Sequence, residues 1–365
     1  MRSSWSPFRR RVRFTLGSVG FWVLTTWLLS LLTRFEVQLV PAGPGLTASL
    51  GVVFGLLSAE FELTLLPRIA RRTTSPLLLL ARVAFYTAVP FATIVLTGAL
   101  LAAEETGVSV VTAMGDPTFA RAIGSRGVLL LLALILVSSL LGNYFRQVRL
   151  MLGPGTQFAL FVGRYARPVM EDRVFLFVDL TDSTGLAERL GPAAFHDLKN
   201  DFFLDVAEPV LATRGEIYQY VGDEVVITWP VRAGRPAGDA VLTFRLLQAR
   251  LDSRRAHYES RYGVVPTFKA GVHSGPVVTA EVGDVKKDIV HTGDTVNTAA
   301  RIVGACRPLR AKLLVSEAAA DVLGHPDRLP DGLVAEPVGT VALRGKAEAV
   351  PLLSVRALHA ADVVT

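Results

Sequence analysis

Two aspartates stand out by position. Asp179 ends an unbroken apolar run from Val174 to Val178. Asp223 lies in the tight turn Val221 to Glu224, between the β-rich runs Glu216 to Tyr220 and Val225 to Trp229. If the apolar run is a central strand with that hairpin beside it, the two carboxylates converge at one edge of a sheet. Paired carboxylates with open positions suit Mg²⁺, which also takes phosphate oxygens. Two such ions clamp the attacking and leaving oxygens of a displacement at phosphorus. Taken singly, either acid is an ordinary turn or cap residue; the pairing of two strand ends is what points to metal.

Leu180 to Gly185 follows Asp179 and leads into a helix. Small polar residues there present unpaired N–H groups to a polyphosphate, and Ser183 or Thr184 equally suits a plain N-cap. Asn297 and Arg301 stand four apart on a predicted helix, hence on one face. A carboxamide beside a guanidinium suits a ribose and a phosphate; without the aspartates the pair reads as a solvated face. Arg344, Gly345 and Lys346 form a turn whose cations suit terminal phosphates. His273, His196, His257 and Cys306 read as structural.

The elements that must hold these groups are those of an α/β domain starting at Arg173. Helices are predicted over 185–211, 238–262 and 294–305. Further strands are predicted over 265–273, 277–282 and 287–291, and near 312–315, 338–343 and 350–355. A linker, 151–172, precedes this domain; its Gly153-Pro154-Gly155 breaks a helix. Within it, the amphipathic piece Phe158 to Tyr165 reads either as a coupling element or as a passive connector.

The preceding 150 residues differ in kind. The 365-residue chain is 51% hydrophobic and 19% charged, against about 25% charged in an average soluble protein. Its net charge of +6 divides unevenly: residues 1–150 carry 14 Arg, no Lys and six acids, the remainder 24 basic residues and 26 acids. The excess cation sits on the apolar half, which favours a membrane surface and argues against nucleic acid. One cysteine excludes an internal disulfide. Uncharged stretches at 14–33, 83–103 (in a span of about 80–103) and 127–145 are each long enough to cross a hydrocarbon core of about 30 Å. A fourth, 47–66, contains Glu60 and Glu62 and is required for the next basic loop to return to the same side. Ten arginines (2, 9, 10, 11, 13, 68, 71, 72, 146 and 149) flank one side of these spans, and Arg34, Arg121 and Arg126 the other. That bias places both termini in the cytoplasm of a multi-pass protein of the cell (inner) membrane. Glu60, Glu62 and Arg82 are either functional or structural, snorkelling or tied by a Glu60–Arg82 pair.

The stretches FLFVDLTDSTGLAERL, QYVGDEVVI, FKAGVHSGPVV, GDTVNTAARI and LRGK, in this order over residues 170–355, resemble the class III nucleotidyl cyclases. Added to the all-α four-helix transmembrane domain (1–150), the linker and a tail (358–365) read from composition, the resemblance makes this a multi-domain protein with a ferredoxin-like α/β (α+β) catalytic domain (173–357). It also implies a head-to-tail homodimer with shared sites. By position, Asp179, Asp223 and the Leu180 carbonyl would hold two Mg²⁺ or Mn²⁺ ions. Ser183, Thr184, Arg344 and, on weaker grounds, Lys286 or Lys287 would hold phosphates. Asn297 would orient the ribose, and Arg301 would offset charge on the α-phosphate. The base-selecting positions carry Gln219 and Val290, where many adenylate cyclases have Lys and a polar residue. Asp288, His291 or Thr292 then reads the base from a shifted frame, or Gln219 acts largely alone. The expected substrate is ATP, with GTP second. The alternatives are a guanylate cyclase, or a silent receptor domain that binds nucleotide. A diguanylate cyclase lacks support: the doubled glycine is missing. The membrane helices' ligand or partner, if any, is left open.

Overall fold

Long uncharged runs form helices because a helix satisfies its own backbone polar groups, as a membrane interior requires. In the computed structural model, which describes residues 5–33, 44–70, 75–152, 154–231, 239–323, 333–343, 346 and 348–357, all four predicted spans are helical. They lie in α1 (Trp5–Thr33), in α2 (Pro44–Glu60) continued through a π-turn (Phe61–Leu65) into α3 (Leu66–Ala70), in α4 (Ser75–Thr106), and in α7 (Arg126–Leu152). Short helices α5 (Val110–Met114) and α6 (Pro117–Ile123) connect the last two. Among the described residues, Ala48–Leu65 and Leu77–Thr106 are long and apolar enough to cross a membrane; Pro117–Leu130 with Leu132–Gly142, bent by 43°, makes a third if it is one span. Arg2, Arg34, Arg71, Arg72, Gly153, Arg344, Gly345 and the tail 358–365 lie outside the described residues.

Helices α1 and α2 touch through glycines spaced four apart, as membrane helices do where side chains would hold backbones away. A Cβ on Gly51 would lie 2.5 Å from Val23 Cα, and one on Gly55 2.3 Å from Val19 Cα. The acids pair differently from the expected Glu60–Arg82 bridge. Glu60 bonds Arg11 on α1 at 2.6 Å, and Glu62 lies 3.4 Å from Arg82 on α4. Residues two apart on a helix point to nearly opposite sides, so each acid finds an arginine on a different neighbour.

Met1–Met151 and Leu152–Thr365 are separate compact units. The second opens with α8 (Pro154–Phe161) and continues β1 (Val169–Leu180), α9 (Ser183–Leu190), α10 (Pro192–Ala212), β2 (Glu216–Val221), β3 (Glu224–Pro230), α11 (Asp239–Ser253), α12 (Arg255–Tyr262) and β4 (Phe268–Val282). It ends with β5 (Asp288–Thr292), α13 (Asp294–Ala305), β6 (Leu313–Ser316), α14 (Glu317–Leu323), β7 (Leu333–Val341) and β8 (Val350–Ala357). The strands form one mixed sheet in the order β2-β3-β1-β4-β6-β8-β7, with β5 paired to β4; among the described residues only β4–β6 is parallel.

The strand period of two sorts β1 between two cores. Val174, Leu176 and Val178 face α10 and α11, meeting Phe202, Val206, Phe244 and Leu247. Phe175 and Phe177 face α13, meeting Ala299 and Val303. That helix lies close on the sheet because Gly271 has no side chain: a Cβ there would lie 2.5 Å from Val303 N.

Three expectations are corrected. The strands foreseen at 265–273 and 277–282 are one strand, β4. Pro276 does not break it, because it falls between the stretches paired to β6 (Ala270–Val272) and to β5 (Val278–Val282), where no ladder bond is demanded of it. The helix foreseen over 185–211 is two, split at Gly191 (φ +77) before Pro192. Arg254 similarly separates α11 from α12.

Candidate active site

Asp179, next to last on β1, faces Glu224 of β3 and Lys269 of β4 in register. A two-residue loop, Gly222-Asp223, closes the β2–β3 hairpin between Val221 and Glu224. Such loops need positive φ, and Gly222 supplies φ +62. The turn holds Asp223 against the end of β1, so the two aspartates foreseen as converging do meet. Asp179 binds its proton more tightly than an ordinary carboxyl. Burial is the largest cause; the Lys269 ammonium opposes it, and the charge and hydrogen bond of Asp223 add to it. Glu224 is pushed up to about 7, by burial and then by Asp179 and Asp223. Lys269 Nζ stands 3.0 Å from Asp179 Oδ2.

Lys269 and Glu224 were not foreseen as members of this cluster. The signal for Lys269 was a lone cation inside the otherwise apolar run Phe268 to Val272. Among the described residues no three His, Cys, Asp or Glu side chains cluster as a metal cage. The set here is two aspartates with a strand-end backbone, all hard oxygens. It fits Mg²⁺ or Mn²⁺, because Mg²⁺ commonly takes only one or two protein carboxylates and completes its shell with water and phosphate. Leu180, which ends β1, buries its side chain, so only its backbone is available to such an ion.

The turn after β1 places Asp182 at φ +56 as the N-cap of α9, without a side-chain cap bond. Ser183 and Thr184 are therefore the first two helical residues, and the N-cap reading for them is corrected. Their amides fall among those that a helix leaves without an internal partner. The Asp182 carboxylate folds back over Gly185, 2.6 Å from where a Cβ would stand, so a side chain at residue 185 would turn that carboxylate aside.

Asn297 and Arg301 share the outer side of α13, opposite the buried Thr298, Ala299, Ile302 and Val303. Among the described residues no hydrogen bond or ion pair joins either of them to the acidic cluster. Lys346 bonds Asp294 Oδ2 and Thr298 Oγ1, each at 2.9 Å, and its bond holds the Asp294 carboxyl below the usual range. Lys286 is exposed in the β4–β5 turn, 3.8 Å from Asp288.

Gln219 is exposed on β2, just past a bulge between Ile217 and Gln219. Val290 is half-buried on β5, opposite Ala280. Of the shifted-frame candidates, His291 faces inward at 8% exposure, its Nδ1 2.8 Å from Thr279 Oγ1. Asp288 accepts a bond from the Ile289 amide, and Thr292 is exposed. His273 is buried against Ser316 at 2.7 Å and Cys306 is buried, as structural residues. His257 bonds Asp201 at 2.9 Å.

A family model described as Adenylate and Guanylate cyclase catalytic domain matches residues 168–353. The chain is similar to Adenylate cyclase 2 of Rhizobium meliloti, 40% identical over 212 residues, covering 58% of this chain and 57% of that protein. It is also similar to Receptor-type guanylate cyclase Gyc76C of Drosophila melanogaster, 31% identical over 199 residues, covering 52% of this chain and 12% of that one. The match thus spans little more than half of the first relative and a small part of the second. The solved structure of a bacterial light-regulated adenylyl cyclase shares the fold, with TM-score 0.50 and 20% identity over 60% of this chain and 64% of that one.

Proposed function

Because this chain belongs to the adenylate and guanylate cyclase catalytic-domain family, we propose that it is an integral membrane adenylate cyclase, converting ATP to 3′,5′-cyclic AMP and pyrophosphate. The observation that carries this reading is the meeting of Asp179 and Asp223 under the hairpin turn. The similarity to Adenylate cyclase 2 supports ATP over GTP.

Two Mg²⁺ or Mn²⁺ ions bound by Asp179, Asp223 and the Leu180 carbonyl would supply Lewis acidity toward the ribose 3′-hydroxyl and the triphosphate. The chain's own residues do the rest. The first-turn amides at Ser183 and Thr184 receive phosphate oxygens, with Arg344 and Lys286 as further cations. Asn297 orients the ribose so that its 3′-oxygen stands in line with the α-phosphorus. Arg301 donates to the α-phosphate oxygens as charge builds on them. Gln219 donates to and accepts from the purine edge, and Val290 packs against its face. Among the described residues no hydrogen bond or ion pair joins Asn297 or Arg301 to the acids of the same chain, which supports a homodimer whose two sites each combine the acids of one copy with the helix α13 of the other. Four helices in the cell membrane, with both termini cytoplasmic, anchor that dimer, and their ligand or partner, if any, is unassigned.

Turnover of ATP and GTP side by side, with Mg²⁺ and with Mn²⁺, on the full-length protein tests the proposal. Cyclic AMP is expected as the main product, and Gln219→Lys should widen the preference for ATP. Cyclic GMP alone would replace the substrate assigned here. No product from either nucleotide would reduce the domain to a nucleotide-binding receptor module.

A further inference from the structure

A hydrogen-bonded chain runs from the linker through the sheet. Tyr165, four residues past the end of α8, is 6% exposed and packs with Ala159, Leu160 and Ile289. Its carbonyl accepts the Glu281 amide at 2.8 Å, so the linker is docked by backbone as well as side chain. Its hydroxyl donates to the Glu171 carboxylate, 3.4 Å from each oxygen. Glu171 Oε1 also accepts from Arg173 Nε at 2.7 Å and from Thr279 Oγ1 at 2.6 Å. These bonds outweigh burial and keep Glu171 ionised below the usual carboxylate range. An ionised carboxylate only accepts, so the single Thr279 hydroxyl proton is committed to Glu171. The 2.8 Å contact between Thr279 Oγ1 and His291 Nδ1 must then be a donation from the imidazole, which selects the tautomer protonated at Nδ1. Finally, the His291 amide donates to the Tyr218 hydroxyl at 3.2 Å, and the two rings lie 4.7 Å apart.

The ends of this chain fall beside two exposed or half-buried positions of interest. Tyr218 is the bulged residue immediately before Gln219, and His291 immediately follows Val290. Side chains alternate along a strand. Ile289 and His291 are accordingly buried on one side of β5, while Val290 projects to the other. Tyr165 grips Ile289 and Tyr218 grips His291, so Val290 is clamped from both sides. The same contact ties β5 to the bulge that aims Gln219.

We propose that Tyr165, Glu171, Thr279, His291 and Tyr218 form a positioning relay through which the linker sets the relative placement of Gln219 and Val290, and hence the grip on the nucleotide base. The inference rests on the reading of those two residues as the base-contacting pair. None of the five touches the nucleotide; they act through the strands they hold.

The test uses the full-length protein in lipid nanodiscs, with KM, kcat and the equilibrium Kd for ATP and GTP. Thr279→Val removes the central hydroxyl at constant shape, Tyr165→Phe removes only the linker hydroxyl, and Thr279→Ser keeps the bond. Thr279→Val and Tyr165→Phe should each raise KM and Kd for ATP roughly three- to tenfold, the worth of one buried hydrogen bond. The ATP-over-GTP ratio should shift by a similar factor while kcat stays within about twofold, and Thr279→Ser should behave as wild type. Unchanged KM, Kd and base ratio in Tyr165→Phe and Thr279→Val, with intact melting curves, overturns the relay. So does an equal loss of kcat and melting temperature without a change in base ratio. Gln219→Ala separates the two layers. If it shifts the base ratio while the relay variants do not, the relay alone falls. If it too leaves the ratio unmoved, the base-contact reading falls and takes the relay with it. Should Thr279→Val fail to fold, Tyr165→Phe decides.

Discussion

Asp179 and Glu224 hold their protons to higher pH than free carboxyls because burial and the neighbouring acids (Asp223 for Asp179, both aspartates for Glu224) outweigh one lysine. A divalent cation in that cluster supplies the missing positive charge and expels protons. Titration calorimetry with Mn²⁺ near pH 7, in buffers of different ionisation enthalpy, should therefore record net proton release. Asp223→Asn should diminish that release. The same substitution should cut turnover by roughly 100-fold or more, since the lost charge stabilisation is worth several kcal/mol. Asp223→Asn keeps the size of the half-buried turn residue and removes one of the like charges crowded there, so the melting temperature should not fall. Activity that survives Asp223→Asn would remove the aspartate from the metal site.

Between elements, the decisive contact is that of α13 with β4. Gly271→Ala would set a Cβ 2.5 Å from Val303 N and 3.0 Å from Val303 Cα, with backbone rather than a pliable side chain as the obstacle. The helix must retreat, at a cost of about 1–3 kcal/mol for overpacking, and Asn297 and Arg301 move with it. Thermal denaturation should show the loss, and kcat should fall further than stability alone accounts for. Two buried histidines bind strands together, His273 to Ser316 on β6 and His291 to Thr279 on β4. Burial lowers both from 6.5 to about 4. The unfolded chain thus binds more protons than the folded one between these values. Their contribution is complete above pH 6.5 and is lost as pH falls toward 4. The loss is on the order of 3 kcal/mol per histidine, and urea denaturation across that range measures it.

For the whole molecule, the proposed sharing of each site between the acids of one copy and Asn297 and Arg301 of the other makes a prediction about mixtures. Asp179→Ala and Arg301→Ala chains should each be inactive alone. Co-expressed in equal amounts, they should recover about one quarter of wild-type activity, because half the dimers are mixed and each holds one whole site in a symmetric assembly. Heterodimers isolated by two tags and found inactive would dismiss the shared-site arrangement. The first 151 residues add helices with apolar surfaces, joined by the Gly51/Gly55 seam and by two ion pairs, one from Glu60 at the end of α2 and one from Glu62 in the π-turn.

Local pattern made much of this protein legible in advance. The apolar run Val174 to Val178 pointed to a strand buried on both faces, and Gly222 before Asp223, between two β-rich runs, pointed to a tight hairpin turn; together these nearly locate the acidic pair. Three helical spans followed from length and missing charge, and the fourth, with Glu60 and Glu62, from the side on which the next basic loop had to lie. Contacts between distant segments were invisible, because no local period encodes which strand lies beside which. Lys269 became Asp179's partner only through the β1–β4 register. Glu60 and Glu62 chose different arginines only once three helices were side by side. Pro276 was harmless only because two partner strands leave a gap there. The link from Tyr165 to His291 joins residues 126 positions apart in the sequence. Residue type settles what a side chain is able to do; packing settles which group it meets, since burial and pairing energies depend on neighbours that only the folded chain assembles.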